Sequence, residues 1–202
     1  MNPRVLLLVP FLLLPTLSAC GQADSPAPRA QSDYRIGDRL PAAPAPASPQ
    51  NFRTIGWDDL IPPDWNPMEV FKGLDLGRMQ DSDPRTMEAL ERMKAEWNAA
   101  PANRKLNGAA IRIPGFVVPL DNGGGKVREF LLVPYFGACI HVPPPPANQI
   151  IHVVPDKPLN KGRTMDAVWV SGTLEIARTD SWMGNSGYRM KAVRVEPYET
   201  KP

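Results

Sequence analysis

Only two cysteines and two histidines occur in the 202 residues. That scarcity excludes a disulfide-stapled scaffold and any metal site built on repeated Cys-x-x-Cys or His-x-x-x-His spacings. The 23 basic and 21 acidic side chains are interspersed and form no run of one sign. A net charge of +2 spread in this way gives no electrostatic footprint for nucleic acid. No apolar stretch approaches the ~20 residues that a helix needs to cross a hydrocarbon core of ~30 Å. The excess lies in proline, with 25 residues unevenly placed. At 43% hydrophobic and 22% charged, the chain can bury one core, and a single domain of ~100–150 residues is the expectation.

The first nineteen residues read as a signal. Arg4 gives a short positive start, and Val5 to Leu14 is apolar except for Pro10. Leu17-Ser18-Ala19-Cys20 follows and resembles the lipobox of bacterial lipoprotein precursors. The resemblance implies cleavage before Cys20, a diacylglycerol on its sulfur and a membrane partner for the mature chain. An ordinary secretory signal cut nearby is the plainer alternative. Gly21, where an aspartate would retain the protein at the inner membrane, implies a periplasmic protein anchored to the outer membrane. With Cys20 lipidated, Cys139 is the only free thiol in an oxidising compartment.

Residues 20–50 hold the anchor and a Pro/Ala-rich tether. The run from Pro41 to Pro49 has no usable periodicity and suits an extended spacer of ~3 Å per residue. Residues 51–105 form a cap. Ile55 to Trp65 is an irregular aromatic arm broken by prolines, and its tryptophans are expected to clad an edge of the main domain. Asp83 as N-cap, Pro84 at the first helical position and an apolar stripe at Met87, Leu90, Met93 and Trp97 predict a helix to Asn98.

Residues 106–202 change to a two-residue period. The predicted strands are Gly108 to Leu120 with a bulge at Pro114-Gly115, Val127 to Val133, Gln149 to Val154, Ala167 to Ala177, and Tyr188 to Val195 with a bulge at Val193. Gly172 falls in an inward series, where a tightly curled strand needs it. The fold class is therefore mainly β. It is a five-stranded antiparallel barrel resembling an OB-fold, with an N-terminal helix and the aromatic arm.

The chemistry concentrates between Pro134 and Val154. This stretch holds Cys139, His141 and His152, with Pro143, Pro144, Pro145 and Pro146 between the two histidines. Cys139 and His141 are two apart and point to one side of an extended segment. With His152 they make a soft-to-borderline donor set for zinc or copper, with Asp156, Asp166 or Glu175 as a fourth ligand. A cysteine beside a histidine is also a nucleophile pair, with Asn148 or Gln149 to orient the imidazole. A third reading is structural, with a small buried thiol, satisfied histidines and a stiff proline loop that can serve as a docking surface.

The segments I-P-G-F-V-V-P-L, F-L-L-V-P-Y-F-G-A-C-I-H-V-P-P-P-P-A-N-Q and V-W-V-S-G-T-L resemble a bacterial envelope lipoprotein family known as a domain of unknown function. Its mark is G-A-C-I-H-x-P-P-P-x-x-N-Q. The resemblance spans Trp57 to Tyr198 and implies no established enzymatic activity. It implies an accessory role beside ABC-type transporters or other envelope proteins, some of them metal-related. It makes Cys139, His141, Pro143 to Pro146, Asn148 and Gln149 the signature positions.

Overall fold

The computed structural model describes residues 34–42, 52–73, 84–121, 125–160 and 162–198. The signal, Cys20, most of the tether and Asp83 lie outside them. Among the described residues eight strands are formed: β1 (Arg53–Thr54), β2 (Ala109–Pro119), β3 (Lys126–Val127), β4 (Phe130–Val133), β5 (Ile151–Pro155), β6 (Leu159–Asn160), β7 (Ala167–Ser181) and β8 (Gly184–Pro197). The one α-helix among the described residues is α1 (Pro84–Asn98). It is not long or apolar enough to cross a membrane. The fold is mainly β, with a mixed six-stranded sheet in the order β1-β2-β4-β5-β8-β7. Strands β3 and β6 form a separate two-stranded ribbon.

A further pairing joins β2 to β7, so hydrogen bonding runs β2–β4–β5–β8–β7 and returns to β2. The expected antiparallel arrangement does not hold throughout, because β5 and β8 pair in parallel. The reason is arithmetic. A closed circuit of five strands cannot alternate direction at every step, so at least one pairing must be parallel.

The bulge predicted at Pro114-Gly115 is absent. Pairing with β7 runs unbroken from Ala109 opposite Leu174 to Phe116 opposite Ala167. Pro114 falls between the parts of β2 that pair with β1 and with β4, so its missing N–H interrupts neither of those ladders. Gly115 is there for close approach, since a Cβ would lie 2.8 Å from Leu132 Cγ. The strand therefore keeps one phase. Ile111, Ile113 and Val117 face the main core with Phe130, Leu132, Ile151, Val153, Val170, Leu174 and Met190. Phe116 and Val118 face the opposite side, with Leu131, Val133, Trp169 and Tyr198. That second face is covered from an unexpected source. Leu40 and Tyr34, which composition assigns to the spacer, pack against it, and the Tyr34 ring meets Phe116 edge-on at 5.2 Å.

The aromatic arm enters the main core. Ile55, Trp57 and Leu60 are buried, and the Trp57 indole donates to Pro114 O at 2.7 Å. Tyr188 ties the arm to β8 by donating to Leu60 O at 2.8 Å while accepting from Asn103 N at 2.6 Å. Helix α1 covers 84–98 as its pattern predicts, but its buried side chains are Ala89 and Met93, while Met87 is exposed.

The β7–β8 hairpin is much longer than the alternation suggests and turns at Trp182-Met183. The register shift at Ser171/Gly172 steps from Arg194 to Ala192, which places the predicted bulge at Val193. Gly172 sits at that step with no room for a side chain, since a Cβ would lie 2.2 Å from Lys191 O. Gly172→Ala should therefore cost about 3 kcal/mol by overpacking, while Thr173→Ala on the exposed face should cost under ~0.5 kcal/mol. Urea unfolding of the two variants checks this, and equal midpoints would contradict it.

Candidate functional site

The stretch from Pro134 to Val154 divides into an open half and a clamped half. Residues Tyr135 and Phe136 are held by the docked chain before them. Gly37 N donates to Phe136 O at 3.0 Å, and Phe136 N donates to Asp38 O at 2.9 Å. The backbone then turns sharply, with Gly137 and Cys139 both at positive φ, 87° and 64°. The amides of Ile140, His141 and Val142 converge on Gly137 O at 3.3, 2.9 and 3.3 Å. A non-glycine residue in this region carries strain and persists only where its surroundings hold it.

Cys139 is half-buried and packs against the outer cluster. Its Sγ lies 3.7 Å from where a Cβ on Gly184 would stand, so the hairpin tip closes over the thiol. Burial pushes the Cys139 thiol up to about 12. Burial first, and then the nearby Cys139, also raise the Tyr135 hydroxyl, against a lowering by Arg39. His141 is exposed.

The clamped half begins at Pro145 and Pro146, which are buried, and continues through a 3-10 turn at Ala147–Gln149. Asn148 donates from Nδ2 to Pro101 O at 3.0 Å. Gln149 donates from Nε2 to Trp57 O at 2.9 Å and to Asn148 O at 3.2 Å. Through these NH2 donors the two amides pin the turn to the arm and the cap, while Asn148 Oδ1 is buried without a partner. They are thus committed to backbone and do not orient the His141 ring, as the nucleophile reading required.

His152 lies on β5, on the rung between Leu131 and Arg189. It is buried, and its Nε2 is 2.8 Å from Glu129 Oε2, while Nδ1 is buried without a partner. Among the described residues no three His, Cys, Asp or Glu side chains come together as a metal ion requires. Of the fourth-ligand candidates, Asp166 is held by Arg163, at 2.8 Å to its amide and 3.3 Å to its Nε. Asp156 is exposed beyond the end of β5, and Glu175 stands opposite Arg189. Among the described residues, Cys139, His141 and His152 are not gathered as a closed zinc or copper site requires.

What the segment does form is one wall of a cleft. Pro143 and Pro144 face Met93, Lys94, Trp97 and Asn98 of α1, and the hairpin residues Ser181 to Asn185 complete the walls around about 290 Å³. The Trp97 indole is fixed by donating to Pro67 O at 3.2 Å. The hairpin tip is fixed by Ser181, whose hydroxyl donates to Gly184 O at 2.6 Å and accepts from Gly184 N at 3.2 Å. Sequence reasoning placed Met93 and Trp97 in a core stripe and missed Trp182 and Met183. The available signal was Ser-Trp-Met-Gly, large apolar residues set between turn formers.

A thiol pushed up to about 12 holds little thiolate at neutral pH, so Cys139 should alkylate far more slowly in the native protein than in urea. Its rate should climb as pH rises beyond ~9. Peptide mapping after iodoacetamide reads both, and alkylation at pH 7 as fast in the native as in the unfolded chain would contradict the burial.

Residues 57–197 match the family model described as "Protein of unknown function (DUF3299)". No curated protein matches the sequence. A crystal structure of a DUF3299 family protein from Pseudomonas aeruginosa PAO1 is 34% identical. It covers 76% of this chain and 100% of that one, with a TM-score of 0.58. An OBody bound to hen egg-white lysozyme matches at 16% identity over 52% of this chain and 94% of that one, with a TM-score of 0.29, too low to bear on the fold. The model match spans most of the sequence, and this chain belongs to the DUF3299 family.

Proposed function

We propose that this chain is a lipid-anchored periplasmic accessory binding protein of an envelope transport system, and that it holds its ligand in the cleft between α1, Pro143-Pro144 and the β7–β8 tip. The cleft itself carries this reading. Its volume of about 290 Å³ falls at the small end of ligand sites, which are mostly apolar with a few placed polar groups. Met93, Trp97, Pro143, Pro144, Trp182 and Met183 supply the apolar walls, and Lys94, Asn98 and Asn185 the polar groups. A ligand with an apolar body and one or two polar substituents suits that lining. We read the five-strand circuit as an OB-like barrel, a rigid carrier whose loops do the binding.

The protonated, overlaid thiol of Cys139 favours binding over cysteine-based catalysis. Zinc or copper at Cys139 and His141 would need further donors from a ligand or partner. Native mass spectrometry of the full chain purified from the periplasm tests the proposal. An organic adduct that is lost in Trp97→Ala and kept in His141→Ala is expected. A metal adduct lost in His141→Ala, or no adduct in any preparation, would overturn it.

A further inference from the structure

Seven large apolar side chains are markedly exposed among the described residues, and three of them gather at one end of the molecule. Trp182 is 74% exposed at the hairpin tip, Ile36 is 58% exposed on the docked segment, and Ile140 is 39% exposed on the Cys139 turn. Two close approaches link them. A Cβ on Gly137 would lie 3.3 Å from Ile36 Cγ1 and 3.7 Å from His141 Cβ. A Cβ on Gly184 would lie 3.3 Å from Pro144 Cβ and 3.7 Å from Cys139 Sγ. Ile36, the turn bearing Ile140, and the tip bearing Trp182 are therefore contiguous.

The same end is where the chain arrives from its anchor. Tyr34 stacks on Phe136 at 5.9 Å, and the backbone of Gly37 and Asp38 bonds to Phe136. Fourteen peptide steps separate Cys20 from Tyr34, a reach of at most ~50 Å. A fold entered only at Phe52 would have roughly twice that reach. The anchor therefore holds this end within ~50 Å of the bilayer, and its exposed residues include a tryptophan, the side chain that favours the membrane–water interface.

We propose that Ile36, Ile140 and Trp182 form a membrane-contacting patch that seats this end of the domain on the phospholipid surface to which Cys20 is anchored. The inference rests on the lipid-anchor reading. Arg35 and Arg39 flank Ile36, but Asp38 lies between them, so apolar insertion rather than charge carries the contact. Seated in this way, Trp182 lies both in the patch and in the cleft wall, so the cleft stands at the bilayer surface.

The test uses the full acylated chain on phosphatidylethanolamine–phosphatidylglycerol vesicles, with phospholipids brominated near the top of their acyl chains. Intact mass and flotation first establish acylation and attachment. The proposal expects part of the tryptophan emission to be quenched by the brominated lipid. That quenching should be lost in Trp182→Phe and weakened in the double variant Ile36→Glu, Ile140→Glu. An acylated, floating protein with unquenched emission, or with quenching that survives Trp182→Phe, would overturn the patch while leaving the anchor intact. A chain without acyl mass that does not float would overturn the anchor, and the patch with it. Trp182 shielding that depends on protein concentration without lipid would reassign the patch to a second copy of the chain.

Discussion

The pairing of β2 with β7 is the constraint on which the rest of the structure depends. It closes the circuit, and a closed circuit of five strands requires a parallel pairing, which falls between β5 and β8. Opposite Gly172, β8 skips Val193, and the hairpin then runs on toward its Trp182-Met183 turn. Without that overshoot the tip would not reach Pro144 and Cys139, and the cleft would have no third wall.

The signature segment uses this frame in two ways. Its Asn-Gln end is a clamp, since Asn148 and Gln149 spend their amides on Pro101 O and Trp57 O and so tie the cap to the strands. Tyr188 repeats the tie from β8 through Leu60 O and Asn103 N. Buried amides that lose such partners leave carbonyls unsatisfied at ~1–3 kcal/mol each. The Cys-Ile-His end is instead a strained turn at the surface, and the prolines stiffen the passage from one end to the other.

Much of the strand order was legible, because alternation is a local property and survives in the sequence. So were α1, through Pro84 and Pro101, and the bulge at Val193, through a slip of phase. The bulge at Pro114-Gly115 was misread for an instructive reason. Pro-Gly is a bulge signal, and Phe116 and Val118 are apolar on the face opposite Ile111 and Ile113, so a bulge there would bring all four inward. The chain instead covers the second face with Tyr34 and Leu40, a non-local contact that no periodicity reveals. The Cys139, His141 and His152 grouping was legible as a concentration of rare residues. Their divergence was not, since His152 turns to Glu129 on one face of β5 while His141 points to solvent. The cleft was hidden for the same reason, as its walls come from three segments far apart in the chain.

The segment divides into a clamp and an open turn, and amide hydrogen exchange on the full chain tests that division directly. Peptides over Ile150 to Val153 should exchange only with global unfolding, and those over Ile140 to Val142 much faster. In Gln149→Leu, protection should fall at Trp57 to Leu60 while the Ile140 to Val142 turn is unchanged. Uniform protection across Cys139 to Val153, or a Gln149→Leu variant with Trp57 to Leu60 undisturbed, would contradict it.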